Sequence, residues 1–262
     1  MTPSKQSSLI NTPIYLYIVL WFLVWLHVSR GVITLLVLFP FLSTKSKNHH
    51  IQRWSKRLLQ IFGVELLVNH ANALPQSSYL LAANHVSWLD IHAINAFKPA
   101  RFVAKSEVAS WPIFGWMAKQ LGTVFIRRDS SRHARQVVDD IAAILKTQSI
   151  CIFPEGTSTI GKNVQTFKPN LFEAAALSEV PVCALAIAYF DRSTGEYSEV
   201  PAFVGDMGLI GSMASILKNR RLRVELTVFA PTKATPGLPI DRKALALESQ
   251  EQIAQYLAKH CN

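Results

Sequence analysis

Residues 79–90 read Tyr79-Leu80-Leu81-Ala82-Ala83-Asn84-His85-Val86-Ser87-Trp88-Leu89-Asp90. The first five are an unbroken apolar run, the pattern of a short buried strand ending at Asn84. Ile91 to Phe97 then has a composition that suits a helix better than a second strand. His85 therefore falls at a strand-to-helix corner, with Asp90 in the first turn of the helix. In one continuous helix, five residues turn the chain about 500°, leaving the two side chains roughly 140° apart. A corner between them lets Asp90 turn back and accept a hydrogen bond from one nitrogen of His85. The other nitrogen is then available to take a proton from a hydroxyl, which is the arrangement of an oriented general base. The same letters admit a plainer reading. Ser87-Trp88-Leu89-Asp90 is also a capping box, with His85 a satisfied, half-buried imidazole.

Working outward, apolar strand-like runs alternate with helical patterns. Strands are expected at Glu65–Val68, Tyr79–Ala83, Phe102–Ala104, Thr123–Ile126, Ile150–Phe153, Val182–Ala188 and Leu222–Phe229. Helices are expected at Trp88–Phe97, Ile113–Gln120, Ser130–Lys146, Leu171–Leu177 and Arg242–Lys259. In Ser130–Lys146 one face carries Ala134, Val137, Val138, Ile141, Ile144 and Leu145, while Arg132, Arg135 and Asp139 point away from it. This alternation predicts an α/β fold, a single domain whose mainly parallel, mixed sheet is flanked by helices. Pro231 to Pro239 reads as a loop leading into the last helix.

The chain has 262 residues, a formal net charge of +10 and a sequence pI near 9.7, and 50% of its residues are hydrophobic. A basic, apolar chain points to a membrane partner or an anionic substrate. No zinc-finger spacing, RNA-binding signature or basic heptad helix supports nucleic-acid binding. Cys151, Cys183 and Cys261 are odd in number and lack metal-like spacing, so a reduced protein without a disulfide framework is expected.

From Pro13 to Val28 nearly every residue is apolar or aromatic, Ser29-Arg30-Gly31 interrupts, and Val32 to Leu42 is again mostly apolar. A spanning helix needs about 20 apolar residues, and Arg30 is costly at a bilayer centre. Two architectures fit: one span with Arg30 near an interface, or a short helical hairpin dipping into one leaflet. Lys45, Lys47, His49, His50, Arg53, Lys56 and Arg57 follow directly. Positive charge beside an apolar segment marks the cytoplasmic side and attracts anionic headgroups. The division expected is an N-terminal tail and membrane-embedded helix or hairpin over 1–44, and an α/β domain over 45–262 on the cytoplasmic face of the membrane.

Two further stretches carry chemistry. Leu121-Gly122-Thr123-Val124-Phe125-Ile126-Arg127-Arg128-Asp129 is a strand ending in two arginines, where ligands bind in parallel α/β sheets, and a guanidinium fork suits phosphate or carboxylate. Asp129 or Ser130 would cap the helix that follows. Ile150-Cys151-Ile152-Phe153-Pro154-Glu155-Gly156-Thr157-Ser158 is a buried strand running into a turn that can present amides and Glu155 to a ligand.

Asn84-His85-x4-Asp90, Gly122 to Arg127, Phe153-Pro154-Glu155-Gly156-Thr157 and the apolar Val180-Pro181-Val182 run together resemble the four ordered blocks of the glycerolipid acyltransferase family. The likeness spans roughly residues 50 to 230. Bacterial 1-acylglycerol-3-phosphate (lysophosphatidic acid) acyltransferases are the nearest in length and N-terminal anchor. The resemblance implies an enzyme in which His85, oriented by Asp90, deprotonates the free hydroxyl of a lysophospholipid. That oxygen attacks the thioester of acyl-CoA or an acyl carrier protein. It assigns Arg127 and the Glu155-Gly156-Thr157 turn to the acceptor's glycerol phosphate; Arg128 and Lys105 join them as basic candidates near the site. It implies no metal and no tightly bound cofactor. The chain departs from the pattern where many members have arginine, showing Ser158-Thr159, and where Phe-Lys-Lys-Gly is frequent, showing Phe167-Lys168-Pro169-Asn170. The lost charge also fits members that acylate lyso-ornithine lipid. Two rivals remain: a lipid ester or thioester hydrolase with Ser87 as nucleophile, which lacks a Gly-x-Ser-x-Gly elbow, and a non-catalytic membrane adaptor.

Overall fold

Residues 12–127, 131–232 and 241–261 are described by the structure, a computed structural model, with side chains except those of residues 131–134. Arg128, Asp129, Ser130 and most of the 231–239 loop lie outside the described residues. Among the described residues the seven strands are β1 (Glu65–Asn69), β2 (Leu80–Ala83), β3 (Arg101–Lys105), β4 (Val124–Ile126), β5 (Ile150–Ile152), β6 (Val182–Asp191) and β7 (Leu222–Val228). They form one sheet in the order β1-β7-β6-β2-β5-β3-β4. Strands β2 to β6 run parallel, while β7 pairs antiparallel with β6 and carries β1 with it. The sheet is mixed and mainly parallel, as the alternating pattern predicts.

The period of a strand sorts its side chains between two cores. Leu81 and Ala83 enter one apolar cluster, with α3 (Leu89–Phe97), α4 (Phe114–Gln120) and α7 (Leu209–Lys218). Leu80 and Ala82 enter the other, with α5 (Ser131–Leu145), α6 (Glu173–Ser178) and α8 (Arg242–His260). Cys151, Cys183 and Cys261 are buried free thiols within these cores.

Two helices have no counterpart in the sequence reading: α7, and α2 over Thr44–Phe62, which holds the basic run. Helix α2 is amphipathic. Leu58, Leu59, Ile61 and Phe62 are buried, while Lys45, Arg53, Lys56 and Arg57 stay exposed. The N-terminal apolar runs are one helix, α1 (Ile14–Val37), which continues through Ser29-Arg30-Gly31 without a break. By length and composition it can cross a membrane, yet about a third of it (33% of its most apolar window) is buried against the domain. Leu20, Val24, His27, Val28, Gly31 and Leu35 form that buried stripe. The opposite side exposes Ile14, Ile18, Phe22, Leu26, Ile33 and Leu36.

At Gly31, α1 packs against Trp54 of α2. A Cβ there would lie 2.7 Å from Nε1 of Trp54, whose ring stacks on His27 at 4.6 Å and donates to the His27 carbonyl. Gly31→Ala therefore forces a shift in a packed interface, at a cost of about 1–3 kcal/mol. Thermal unfolding in neutral detergent should show a lower midpoint for Gly31→Ala and an unchanged one for the exposed control Ser29→Ala. Equal midpoints would mean that α1 does not rest on the domain.

Candidate active site

At the C-terminal end of β2 the chain turns away from the sheet, and Asn84 fixes where. Its buried side chain donates to the Ile187 carbonyl (2.9 Å) and accepts from the Ile187 N–H (2.7 Å), stitching the corner to β6. The next residue is held through its own backbone. The His85 N–H donates to Glu155 Oε1 at 2.7 Å, and its carbonyl accepts the Thr159 N–H at 2.8 Å. The imidazole is thus positioned by the main chain before any side chain touches it.

Asp90 has no exposed side-chain surface. Its Oδ2 accepts from His85 Nδ1 (2.8 Å), the Val86 N–H (2.7 Å) and the Ser87 N–H (2.9 Å), and its Oδ1 accepts from the Tyr189 hydroxyl (2.7 Å). Both readings of residues 84–90 hold at once. The carboxylate reaches back to Ser87 as in a capping box, and the same oxygen holds the imidazole. An ionised carboxylate only accepts, so Nδ1 carries the proton and Nε2 keeps its lone pair. Nε2 makes no hydrogen bond to the described residues, and 21% of the His85 side chain is exposed. The ring lies on Phe153 at 4.0 Å and 16°, a stack that fixes its plane.

The turn after β5 is the neighbour of this corner in the sheet. Gly156 takes φ 72°, the left-handed conformation expected of a glycine there. Gly156, the exposed Thr157, Gln165 and Lys168 line a cavity of about 530 Å³ together with Glu155. Glu155 lines this cavity and also makes two contacts that the sequence does not announce. Both its oxygens are taken by backbone amides, Oε1 by His85 and Oε2 by Gln165 at 2.9 Å. Burial pushes its carboxyl above the usual range, against those two N–H groups. In this structure Glu155 positions His85. Ser158 and Thr159 are also committed, Ser158 donating to the Phe203 carbonyl and Thr159 to that of His85.

Lys105 ends β3 and Arg127 follows β4, and both are exposed. With β2, β5, β3 and β4 side by side, His85, the Glu155 turn, Lys105 and Arg127 share one sheet edge. At about 4.8 Å per strand, Lys105 roots about 10 Å and Arg127 about 14 Å from the His85 strand. Both side chains are long enough to lean across much of that gap. Arg128 lies outside the described residues. Sequence reasoning missed Tyr189 and Phe153 as contacts of the pair. Tyr189 is one residue beyond the expected end of its strand, and only the β2–β6 register brings it to Asp90. Ser87 is fully buried and its hydroxyl accepts the Leu89 N–H, a poor position for a nucleophile.

Residues 65–188 match the family described as Acyltransferase. The lyso-ornithine lipid O-acyltransferase of Pseudomonas aeruginosa is 34% identical over 201 residues, covering 76% of this chain and 75% of that one. The 1-acyl-sn-glycerol-3-phosphate acyltransferase of Neisseria gonorrhoeae is 33% identical over 215 residues, covering 82% and 83%. This chain belongs to the glycerolipid acyltransferase family. In fold, this acyltransferase is similar to the crystal structure of the 1-acyl-sn-glycerophosphate (LPA) acyltransferase PlsC from Thermotoga maritima. That likeness has a TM-score of 0.66 and 20% identity, and covers 94% of this chain and 95% of that one.

Glutamine in place of Glu155 offers one acceptor oxygen to two backbone donors. The orphaned amide costs about 1–3 kcal/mol, so Glu155→Gln should lower the unfolding midpoint and turnover together. A variant with full stability and full activity would show that the clamp on His85 is dispensable.

Proposed function

We propose that this acyltransferase moves a fatty acyl group from an acyl thioester to the free hydroxyl of a lysolipid at a membrane surface. The observation that carries this reading is the imidazole whose Nδ1 is tied to a buried carboxylate while Nε2 stays open. Nε2 of His85 takes the hydroxyl proton as the oxygen attacks the thioester carbonyl. The tetrahedral adduct collapses with cleavage of the C–S bond, and the imidazolium returns its proton to the leaving thiolate. Asp90 favours the charged imidazole, and Tyr189 and two amides hold Asp90 in place. The thioester is that of acyl-CoA or an acyl carrier protein.

The acceptor we put first is 1-acylglycerol-3-phosphate, giving phosphatidic acid. Lys105 and Arg127 at the shared edge, with Gly156, Thr157 and Lys168 around the adjoining cavity, supply donors for its phosphate. A second acceptor, lyso-ornithine lipid, is favoured by Ser158 and Thr159. They replace positive charge beside the site, and their hydroxyls are spent on backbone carbonyls. Relatives of both names support the pair of readings. The exposed apolar side of α1 enters the bilayer, and the basic face of α2 sets the domain on its cytoplasmic surface.

The decisive assay uses purified protein, labelled acyl thioester and a panel of lysolipids. His85→Ala should stay folded and lose about 10²–10⁴-fold in turnover, the range for a missing general base. Near-normal rates would reject the mechanism. Lys105→Gln should raise KM for lysophosphatidate far more than for lyso-ornithine lipid if phosphate is the group it holds. Equal effects on both acceptors would remove Lys105 from phosphate recognition.

A further inference from the structure

At the opposite end of the sheet, a groove of about 380 Å³ runs between the start of α2 and the entry points of β2, β3 and β5. Lys47, Lys98 and Arg101 all line it, and its lining holds no Asp or Glu. Among the described residues, each cation is held in place without a carboxylate. Lys98 donates to the Pro75 carbonyl (3.1 Å) and sits 5.0 Å over the Tyr79 ring. Arg101 donates through Nε to Gln148 (2.9 Å), and Gly122, at φ 77°, leaves room for its guanidinium. Lys47 lies 5.8 Å over Phe39, which also lines the groove. Thr44, the first residue of α2, is part of the lining too, so the positive end of that 19-residue helix opens here. Burial already holds the Lys98 ammonium below the usual lysine range.

Three basic residues and a helix N-terminus line one groove whose lining holds no carboxylate, an arrangement that attracts an anion. Hydroxyls and amides of Ser77, Ser78, Gln148 and Ser149 add neutral partners for phosphate oxygens. The groove also abuts the end of α1, where Leu38 is exposed and Phe41 is 87% exposed. We infer that this groove binds the phosphate of an anionic phospholipid headgroup, at a site separate from the acceptor site. Strand β2 alone puts roughly 13 Å between the groove and the corner that carries His85. The lipid part of the inference rests on the membrane reading of α1 given above.

The test uses the full chain in neutral detergent, carrying Lys105→Gln and Arg127→Gln so that binding at the other edge is weakened. It is titrated calorimetrically with dioctanoyl phosphatidylglycerol, dioctanoyl phosphatidylcholine and inorganic phosphate. Saturable binding of phosphatidylglycerol is expected. Adding Lys47→Gln and Lys98→Gln should weaken it at least about tenfold, as loss of charge-assisted contacts does. Lys47→Gln alone, which removes only a ring contact, should weaken it several-fold with an unchanged melting point. Unchanged affinity in both variants would overturn the site. Equal affinity for phosphatidylcholine or for inorganic phosphate would overturn the lipid assignment. Binding retained by His85→Ala would keep this result apart from the outcome of the catalytic test.

Discussion

One carboxylate, buried and with no lysine or arginine partner among the described residues, organises the functional half of this protein. Asp90 is stabilised by four donors: two backbone amides, a tyrosine hydroxyl and an imidazole. An ionised carboxylate in such a place is tolerable only while its hydrogen bonds are complete. The corner at Val86 and Ser87 must therefore keep its shape, β6 must extend far enough to deliver Tyr189, and His85 must turn one ring nitrogen inward. The open Nε2 follows from that requirement.

The rest of the corner is fixed by polar side chains spent on main-chain partners. Asn84 ties β2 to β6 at Ile187, and Glu155 ties His85 to Gln165 across the turn after β5. Their work is to hold the imidazole still, which matters because proton transfer depends on distances set to within a few tenths of an ångström. The cations stand further along the same edge, on strands whose order and parallel direction bring their ends together.

Much of this was legible in residues 84–90 and in the strand-like runs. All seven strands fall where apolar periodicity puts them, with ends shifting by one to three residues. His85 and Asp90 do meet, because a strand-to-helix corner at that spacing has few other outcomes. Helix α2 is hard to read in the sequence because its first turns are dominated by charge and its apolar residues are concentrated in its last turns. The clasp of Glu155 on two backbone amides is not legible, since a carboxylate in a Gly-containing turn looks the same in sequence whether it points outward or caps a backbone. The N-terminal runs read as one span or two helices because Gly31 looks like a breaker, whereas in the fold it is the clearance that lets Trp54 approach.

What the sequence determined by itself is local: the alternation of elements, the apolar N-terminal run, and the histidine and carboxylate placed one corner apart. Those follow from periodicity and from short-range geometry, which a few neighbouring residues suffice to impose. The tertiary structure alone decided the partners distant in the chain. Tyr189 reaches Asp90 from 99 residues away, and Glu155 reaches His85 from 70 away. Such contacts depend on which strands lie side by side and in what register, a property of the whole packed sheet that no single stretch encodes.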